Sequence, residues 1–232
     1  MYMTAAAGLG AILKPVHRID PVLLRAAELL VKPNDVIWDI GGNMGLFSVA
    51  AAVRAGSSGK VFSFEPDPRP IQLLRSSARL QSAATAPITV IPAAISDAIE
   101  IRDFWIAKRA RSSNALAGFG LSQMGGVRET ISVVTLTIDV CLAWLPRPTL
   151  LKIDIEGAEL AALSSARTLL TEPYPTIICE VAETNAKDVT KLLRSLGFQL
   201  FDPARANPLE EEIDVATDDT IAIHESNLAL FS

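Results

Sequence analysis

Short runs of apolar residues alternate along the chain with segments in which apolar residues recur at helical spacing. The first series is predicted to run strand, helix, strand, helix, strand, with the bounds Val36–Ile40, Leu46–Arg54, Val61–Phe64, Ile71–Leu80 and Ile88–Ile91. A helix is predicted before it at Pro21–Leu30, because Asp20 suits the N-cap and proline suits the first helical position. This alternation is typical of a parallel sheet with helices on both faces.

The alternation returns in the last third of the chain. Its predicted elements are the strand Leu150–Ile155, the helix Glu159–Leu170, the strand Thr176–Val181, the helix Ala186–Leu196 and the strands Phe198–Phe201 and Thr220–His224. Segment 99–137 lies between the two series and contains two strand-like runs around a loop. We interpret it as a strand-rich insertion between the third and fourth βα units of a single domain, 1–232, that begins with a helical segment, 1–34.

Composition narrows the class of protein without identifying it. The chain has 232 residues, of which 50% are hydrophobic and 20% are charged, as in a globular protein. A net charge of −5 argues against a general nucleic-acid-binding protein. No apolar run reaches the roughly 18–20 residues that span a membrane, and the apolar stretch Ala5–Leu13 lacks the positive flank of a signal peptide. Cys141 and Cys179 suit neither a metal site nor a disulfide framework, so a cytoplasmic location is expected.

A glycine-rich turn, D-I-G-G-N-M-G at Asp39–Gly45, follows the first predicted strand. Glycine there lets a ligand approach the backbone, and the next helix offers free N–H groups at its N-terminus. Glu65 ends the next strand, 20 positions after Gly45, where a carboxylate can accept both hydroxyls of a ribose. The G-x-G-x-x-G spacing of nicotinamide-dependent dehydrogenases is absent, and D-x-G-x-N-x-G instead resembles motif I of class I methyltransferases. An ordinary turn without a ligand is the alternative for this turn taken alone.

A second group of ionisable residues interrupts and follows the predicted strand 150–155, in L-L-K-I-D-I-E-G-A-E. Lys152, Asp154 and Glu156 are expected on one face, because side chains alternate along a strand. Burying a lysine with carboxylates is costly unless they pair or face a ligand, so an ion pair that closes the sheet is the structural alternative. Glu180 ends the next strand, and oxygen ligands from Asp154 and Glu180 would suit magnesium or calcium. Nothing in the sequence requires a metal.

These stretches, with F-S-F-E-P-D-P, A-A-I-S-D and I-I-C-E-V, resemble the FkbM-type methyltransferases over about residues 35–181. The resemblance implies a Rossmann-like, doubly wound, mostly parallel seven-stranded sheet and S-adenosylmethionine as the methyl donor. It also implies O-methylation of a hydroxyl on a sugar or natural-product small molecule. Carried over by position, the residues that line the cofactor site are Asp39, Gly41, Asn43, Gly45, Glu65 and Asp97. Gly42 stands where a small residue such as alanine is expected, a departure predicted to be harmless.

The catalytic prediction rests on Asp154, the expected base for the acceptor hydroxyl, with Lys152 orienting it or stabilising charge. Asp97 is expected near an adenine amino group, with a turn-forming role as the alternative. His17 is a candidate for a lid over the site, whereas His224 is interpreted as structural. The insertion, 99–137, is predicted to shape the acceptor site, because functional residues tend to lie on such loops. Its basic run K-R-A-R, 108–111, is either a solvated loop or a contact for an anionic acceptor.

Two other classes of function stay open at this point. A nicotinamide-dependent oxidoreductase would need a Tyr-Lys pair or a His base, and neither Tyr2 nor Tyr174 stands in a Y-x-x-x-K frame. The second class is a non-catalytic module that keeps the fold and binds the cofactor. No D-P-P-Y or N-P-P-Y follows the fourth strand, which argues against methylation of an adenine amino group. The sequence does not identify the acceptor, and it is compatible with a homo-oligomer.

Overall fold

The structure, a computed structural model, describes residues 20–108, 113–120 and 124–231. Its strands are β1 (Val36–Ile40), β2 (Lys60–Phe64), β3 (Ile88–Ile91), β4 (Ala94–Ile95), β5 (Glu100–Ala107), β6 (Ala115–Leu116), β7 (Val127–Leu136), β8 (Leu150–Ile153), β9 (Thr176–Glu180), β10 (Phe198–Phe201) and β11 (Asp219–His224). Its α-helices are α1 (Pro21–Leu30), α2 (Leu46–Ala55), α3 (Pro68–Arg79), α4 (Ile138–Cys141), α5 (Glu159–Ser164) and α6 (Ala186–Ser195). Among the described residues, 3₁₀ turns span Glu183–Asn185 and Glu225–Leu230.

The predicted doubly wound sheet is confirmed. Seven strands form it in the order β10-β11-β9-β8-β1-β2-β3. Strand β1 pairs in parallel with β2 and with β8, and the parallel pairing continues to β3 on one side and β9 on the other. Strand β11 runs antiparallel to both of its neighbours in this sheet, β10 and β9. The carboxyl ends of β1, β2, β8 and β9 therefore meet at one edge, and in open α/β sheets ligands bind at that edge.

Hydrophobic side chains cover both faces of this sheet, as the alternation along β1 shows. Trp38 and Ile40 belong to one buried cluster, which α5 and α6 help to form. Ile37 belongs to a second cluster on the opposite face, with side chains of α1 and α2. The N-terminus of α1 is capped as predicted, because the Asp20 carboxylate accepts from the Leu23 N–H at 2.9 Å. None of the helices among the described residues is long and apolar enough to cross a membrane.

The insertion forms a second, four-stranded sheet in the order β4-β7-β5-β6. Its two long strands, β5 and β7, pair antiparallel from Glu100 opposite Thr135 to Ala107 opposite Val127. Phe104, Ile106 and Leu116 pack together on one face of this sheet. The second sheet starts at Ala94, five residues before the predicted insertion, because β4 pairs with the end of β7.

Two predicted elements end two or more residues earlier than expected. Strand β8 stops at Ile153 instead of Ile155, because Glu156 and Gly157 adopt positive φ and turn the chain. Helix α5 stops at Ser164 instead of Leu170. The N–H groups of residues 168 and 169 donate to the Asp139 carboxylate at 2.8 and 3.0 Å instead of to carbonyls one turn earlier. An acceptor 29 and 30 positions away thus fixes the segment that follows the helix.

Candidate active site

The glycine turn is held against β8 and β2 by the backbone itself. Gly41 has φ +78°, and a Cβ on it would lie 1.8 Å from the carbonyl oxygen of Asp154. A Cβ on Gly42 would lie 1.9 Å from the hydroxyl of the Ser63 side chain, so an alanine at this position would require that hydroxyl to move. Gly45, at φ +90°, is the N-cap of α2. The turn therefore depends on close approach as well as on the sign of φ.

Gly41→Ala is expected to lower the free energy of unfolding by about 2–4 kcal/mol, because overlap with Asp154 adds to the cost of a positive φ. Gly118→Ala is the matched control. It also has positive φ, +97°, but no atom lies within 4 Å of its added Cβ. Only the conformational cost of about 1–2 kcal/mol is expected there. Urea unfolding measures the free energy of unfolding of both variants. Equal losses in Gly41→Ala and Gly118→Ala would argue against the close approach of Gly41 to Asp154.

Glu65 lies at the carboxyl end of β2 with its carboxylate fixed by backbone donors. The Asn43 N–H donates to Oε2 at 2.9 Å, and the Asp67 N–H donates to Oε1 at 2.8 Å. Each oxygen keeps a second lone pair, because a carboxylate can accept about four hydrogen bonds. Burial raises the pKa of Glu65 to about 7, although the two N–H donors act in the opposite direction. The side chain lines a cleft and has acceptor capacity to spare.

Behind the cleft, Lys152 joins three elements. Its ammonium donates to the Gly41 carbonyl and to Asp154 Oδ2, each at 3.0 Å. It also pairs with Asp39 Oδ1 at 3.4 Å, without hydrogen-bond geometry. Burial alone would lower the pKa of Lys152, but Asp154 and Asp39 together raise it above its usual value. The ion pair expected as the structural alternative is thus present, and it links the glycine turn to the end of β8.

Asp39 is completely buried, and the Ser48 hydroxyl of α2 donates to its Oδ2. Its carboxylate therefore lies behind the residues that line the cleft, and its place in the cofactor site stays a prediction. The exposed side chain of Asp97 accepts from the Ser96 hydroxyl at 3.0 Å and pairs with Arg102 at 3.6 Å. These contacts match the turn-forming alternative, and the adenine contact also stays a prediction.

Three carboxylates gather where β8 and β9 end. Asp154, Glu156 and Glu180 each offer an oxygen within 4.8 Å of the others, a geometry that can hold a metal ion. Burial first, and then the Asp154 charge, raises the pKa of Glu156 and of Glu180 to about 8 in each case. A divalent cation or a proton would relieve this crowding.

The cleft opens between the glycine turn and the insertion. Of the residues predicted for the site, Gly41, Asn43, Glu65 and Asp154 line it, and Glu156 joins them. Three insertion side chains close it from the other side: Phe104, Asn114 and Leu116. Sequence reasoning missed these three as individual residues, because nothing local marks which side of an insertion faces a site.

Of the two histidines, only His224 lies among the described residues. His224 stacks on Tyr174 with ring centroids 3.5 Å apart, and its Nδ1 lies 2.8 Å from the Ser226 hydroxyl. This matches its structural interpretation. His17 lies outside the described residues, as do residues 109–111 of the basic run.

Comparison with known proteins gives one family. The methyltransferase FkbM domain matches residues 39–200. The hexuronic acid methyltransferase AglP of Haloferax volcanii is 30% identical over 174 residues, which are 74% of this chain and 65% of that protein. The chain thus spans slightly less than two thirds of this relative.

Among solved structures, the FkbM methyltransferase of Methylobacillus flagellatus superposes with a TM-score of 0.55 at 18% identity, over 86% of this chain and 47% of that one. The precorrin-6y C5,15-methyltransferase of Geobacter metallireducens superposes with a TM-score of 0.50 at 14% identity, over 88% and 85%. These likenesses support the fold. Because the family match covers most of the chain, the protein belongs to the FkbM methyltransferase domain family.

Proposed function

We propose that this protein transfers a methyl group from S-adenosylmethionine to a hydroxyl of a sugar or related small molecule. The observation that carries the proposal is Glu65, a buried carboxylate in the cleft, held by two N–H donors with lone pairs to spare. The hydroxyls of a ribose would donate to its ionised form and lower its pKa. The sugar acceptor is supported by AglP, whose name assigns it to hexuronic acid.

The described residues fit such a donor in two further respects. Gly41 and Asn43 line the cleft beside Glu65, and the bare backbone of the glycine leaves room for the ligand. Phe64 and Ile95 contribute an apolar wall, which suits a planar base. When bound, S-adenosylmethionine supplies a methyl group already activated by its sulfonium.

The work left to the protein is alignment and removal of a proton. Holding the acceptor hydroxyl in line with the methyl group can lower the barrier by about 7–11 kcal/mol. Asp154 lines the cleft and is the proposed base, with its Oδ2 fixed by the Lys152 ammonium at 3.0 Å. Lys152 is 4% exposed, so we assign it to positioning Asp154 and not to contact with substrate.

A divalent cation held by Asp154, Glu156 and Glu180 is the second candidate for this end of the cleft, and their mutual distances favour it. Such an ion would bind the acceptor oxygens and lower the pKa of the hydroxyl. In that case Asp154 would serve as a ligand and not as a base.

Titration calorimetry with S-adenosylmethionine tests the donor site. We expect saturable binding, and Glu65→Ala is expected to weaken it by about 1.5–3 kcal/mol, or one to two orders of magnitude, because a charged acceptor is lost. Glu129→Ala, an exposed glutamate on β7, is the control and should leave affinity unchanged. Unchanged affinity in folded Glu65→Ala would refute the ribose contact, and no binding by the unaltered protein would refute the donor.

A further inference from the structure

The insertion docks onto the loop that carries the candidate ribose acceptor. Asn114, 9% exposed, lies just before β6. Its side-chain amide donates to Asp67 Oδ2 at 2.8 Å, and its carbonyl oxygen accepts from the Ala107 N–H of β5, also at 2.8 Å. One buried side chain therefore joins the second sheet to the loop that follows β2.

Asp67 passes this contact on to Glu65. It is 1% exposed, and its backbone N–H is one of the two donors that fix the Glu65 carboxylate. Its Oδ1 accepts from the Arg69 N–H at 3.0 Å and so caps α3. Two hydrogen bonds therefore separate the insertion from the group proposed to hold the ribose.

The same part of the insertion also meets the opposite side of the cleft. Gly120 lies so close to the loop after β8 that a Cβ on it would be 2.5 Å from the Glu156 carbonyl oxygen. A Cβ on Gly157 would in turn lie 3.0 Å from the Gly120 nitrogen. Residues 113–120 thus span from the Glu65 loop to the loop that begins with Asp154.

We propose that Asn114 is a positioning residue. It holds Asp67, whose N–H orients the Glu65 carboxylate, and the insertion thereby controls recognition of the ribose of the methyl donor. The inference rests on the proposed function of the cleft. It gives the insertion a role on the donor side, in addition to the predicted role around the acceptor. A ligand without ribose hydroxyls would gain nothing from this contact, and that difference separates positioning from general stabilisation.

The test compares two probes, S-adenosylhomocysteine and its 2′,3′-dideoxyribose analogue, by titration calorimetry. Asn114→Asp keeps an acceptor for the Ala107 N–H but turns a carboxylate toward Asp67. The ratio of the two affinities is expected to fall roughly tenfold or more, because the hydrogen bond to a charged group is replaced by repulsion. Asn114→Ala, which adds no charge, is the second variant and should change the ratio in the same direction. Ser132→Ala, on an exposed residue of β7 in the same sheet, should leave it unchanged.

A reciprocal exchange provides the rescue. In the double variant Asn114→Asp with Asp67→Asn, the new amide at position 67 can donate to the new carboxylate and still accept from the Arg69 N–H. Recovery of the affinity ratio would support the inference. Equal weakening of both probes in the single variants, or an unchanged ratio, would overturn it while leaving the donor site intact. Failure of the unaltered protein to prefer the ribose probe would overturn the ribose assignment, and the inference with it.

Discussion

Asp154→Asn is expected to lower turnover by about 10²–10⁴-fold, with S-adenosylmethionine affinity nearly unchanged. The substitution keeps the shape of the side chain and an oxygen that can accept from Lys152. It removes the charge needed to take up the proton of an acceptor hydroxyl. Asp154 lines the cleft, and one of its carboxylate oxygens lies within 4.8 Å of a carboxylate oxygen of Glu156 and of Glu180. Because the proposed contact with the donor is made by Glu65, the loss is expected in the chemical step and not in donor binding.

The control for this variant is Asp103→Asn, on an exposed aspartate of β5, which should keep full activity. Turnover is measured with labelled donor at saturation, together with the melting temperature. Full activity in Asp154→Asn would eliminate the base. Activity recovered by added magnesium would assign Asp154 to a metal site, and a large drop in melting temperature would favour a purely structural ion pair.

Lys152→Met is expected to destabilise the fold by about 3–5 kcal/mol, because it leaves a buried carboxylate without its partner. Asp39 is completely buried, and the Lys152 ammonium lies 3.4 Å from its Oδ1. The Gly41 carbonyl and Asp154 lose a donor in the same step. Methionine fills a similar volume, so most of the loss would be electrostatic.

Urea unfolding of Lys152→Met should be compared with Lys60→Met, on an exposed lysine at the start of β2, where a change within about 0.5 kcal/mol is expected. Adding Asp39→Asn to Lys152→Met removes the unpaired charge and should recover part of the loss. A cost similar to that of Lys60→Met would show that the ion pair contributes little to stability.

Features that depend on neighbouring residues in the sequence could be predicted. The run V-I-W-D-I gives the bounds of β1, and the glycine turn and Glu65 meet because parallel strands end at one edge. The same rule brings Asp154 to the cleft. These positions need only the order of the strands, which the alternation of elements supplies.

Features that depend on contacts between distant segments could not be predicted. The link from Asn114 to Asp67 joins residues 47 positions apart in the chain. Asp139 likewise accepts from the N–H of Thr168, 29 positions away, in the segment after α5. Only the packing of the insertion and loops against the sheet determines these contacts.

A crystal structure of the protein with S-adenosylhomocysteine tests the proposed donor site most directly. The ribose hydroxyls are expected within hydrogen-bond distance of the Glu65 carboxylate, with the homocysteine sulfur on the Asp154 side of the cleft. A ligand bound elsewhere, or one whose ribose does not contact Glu65, would contradict it.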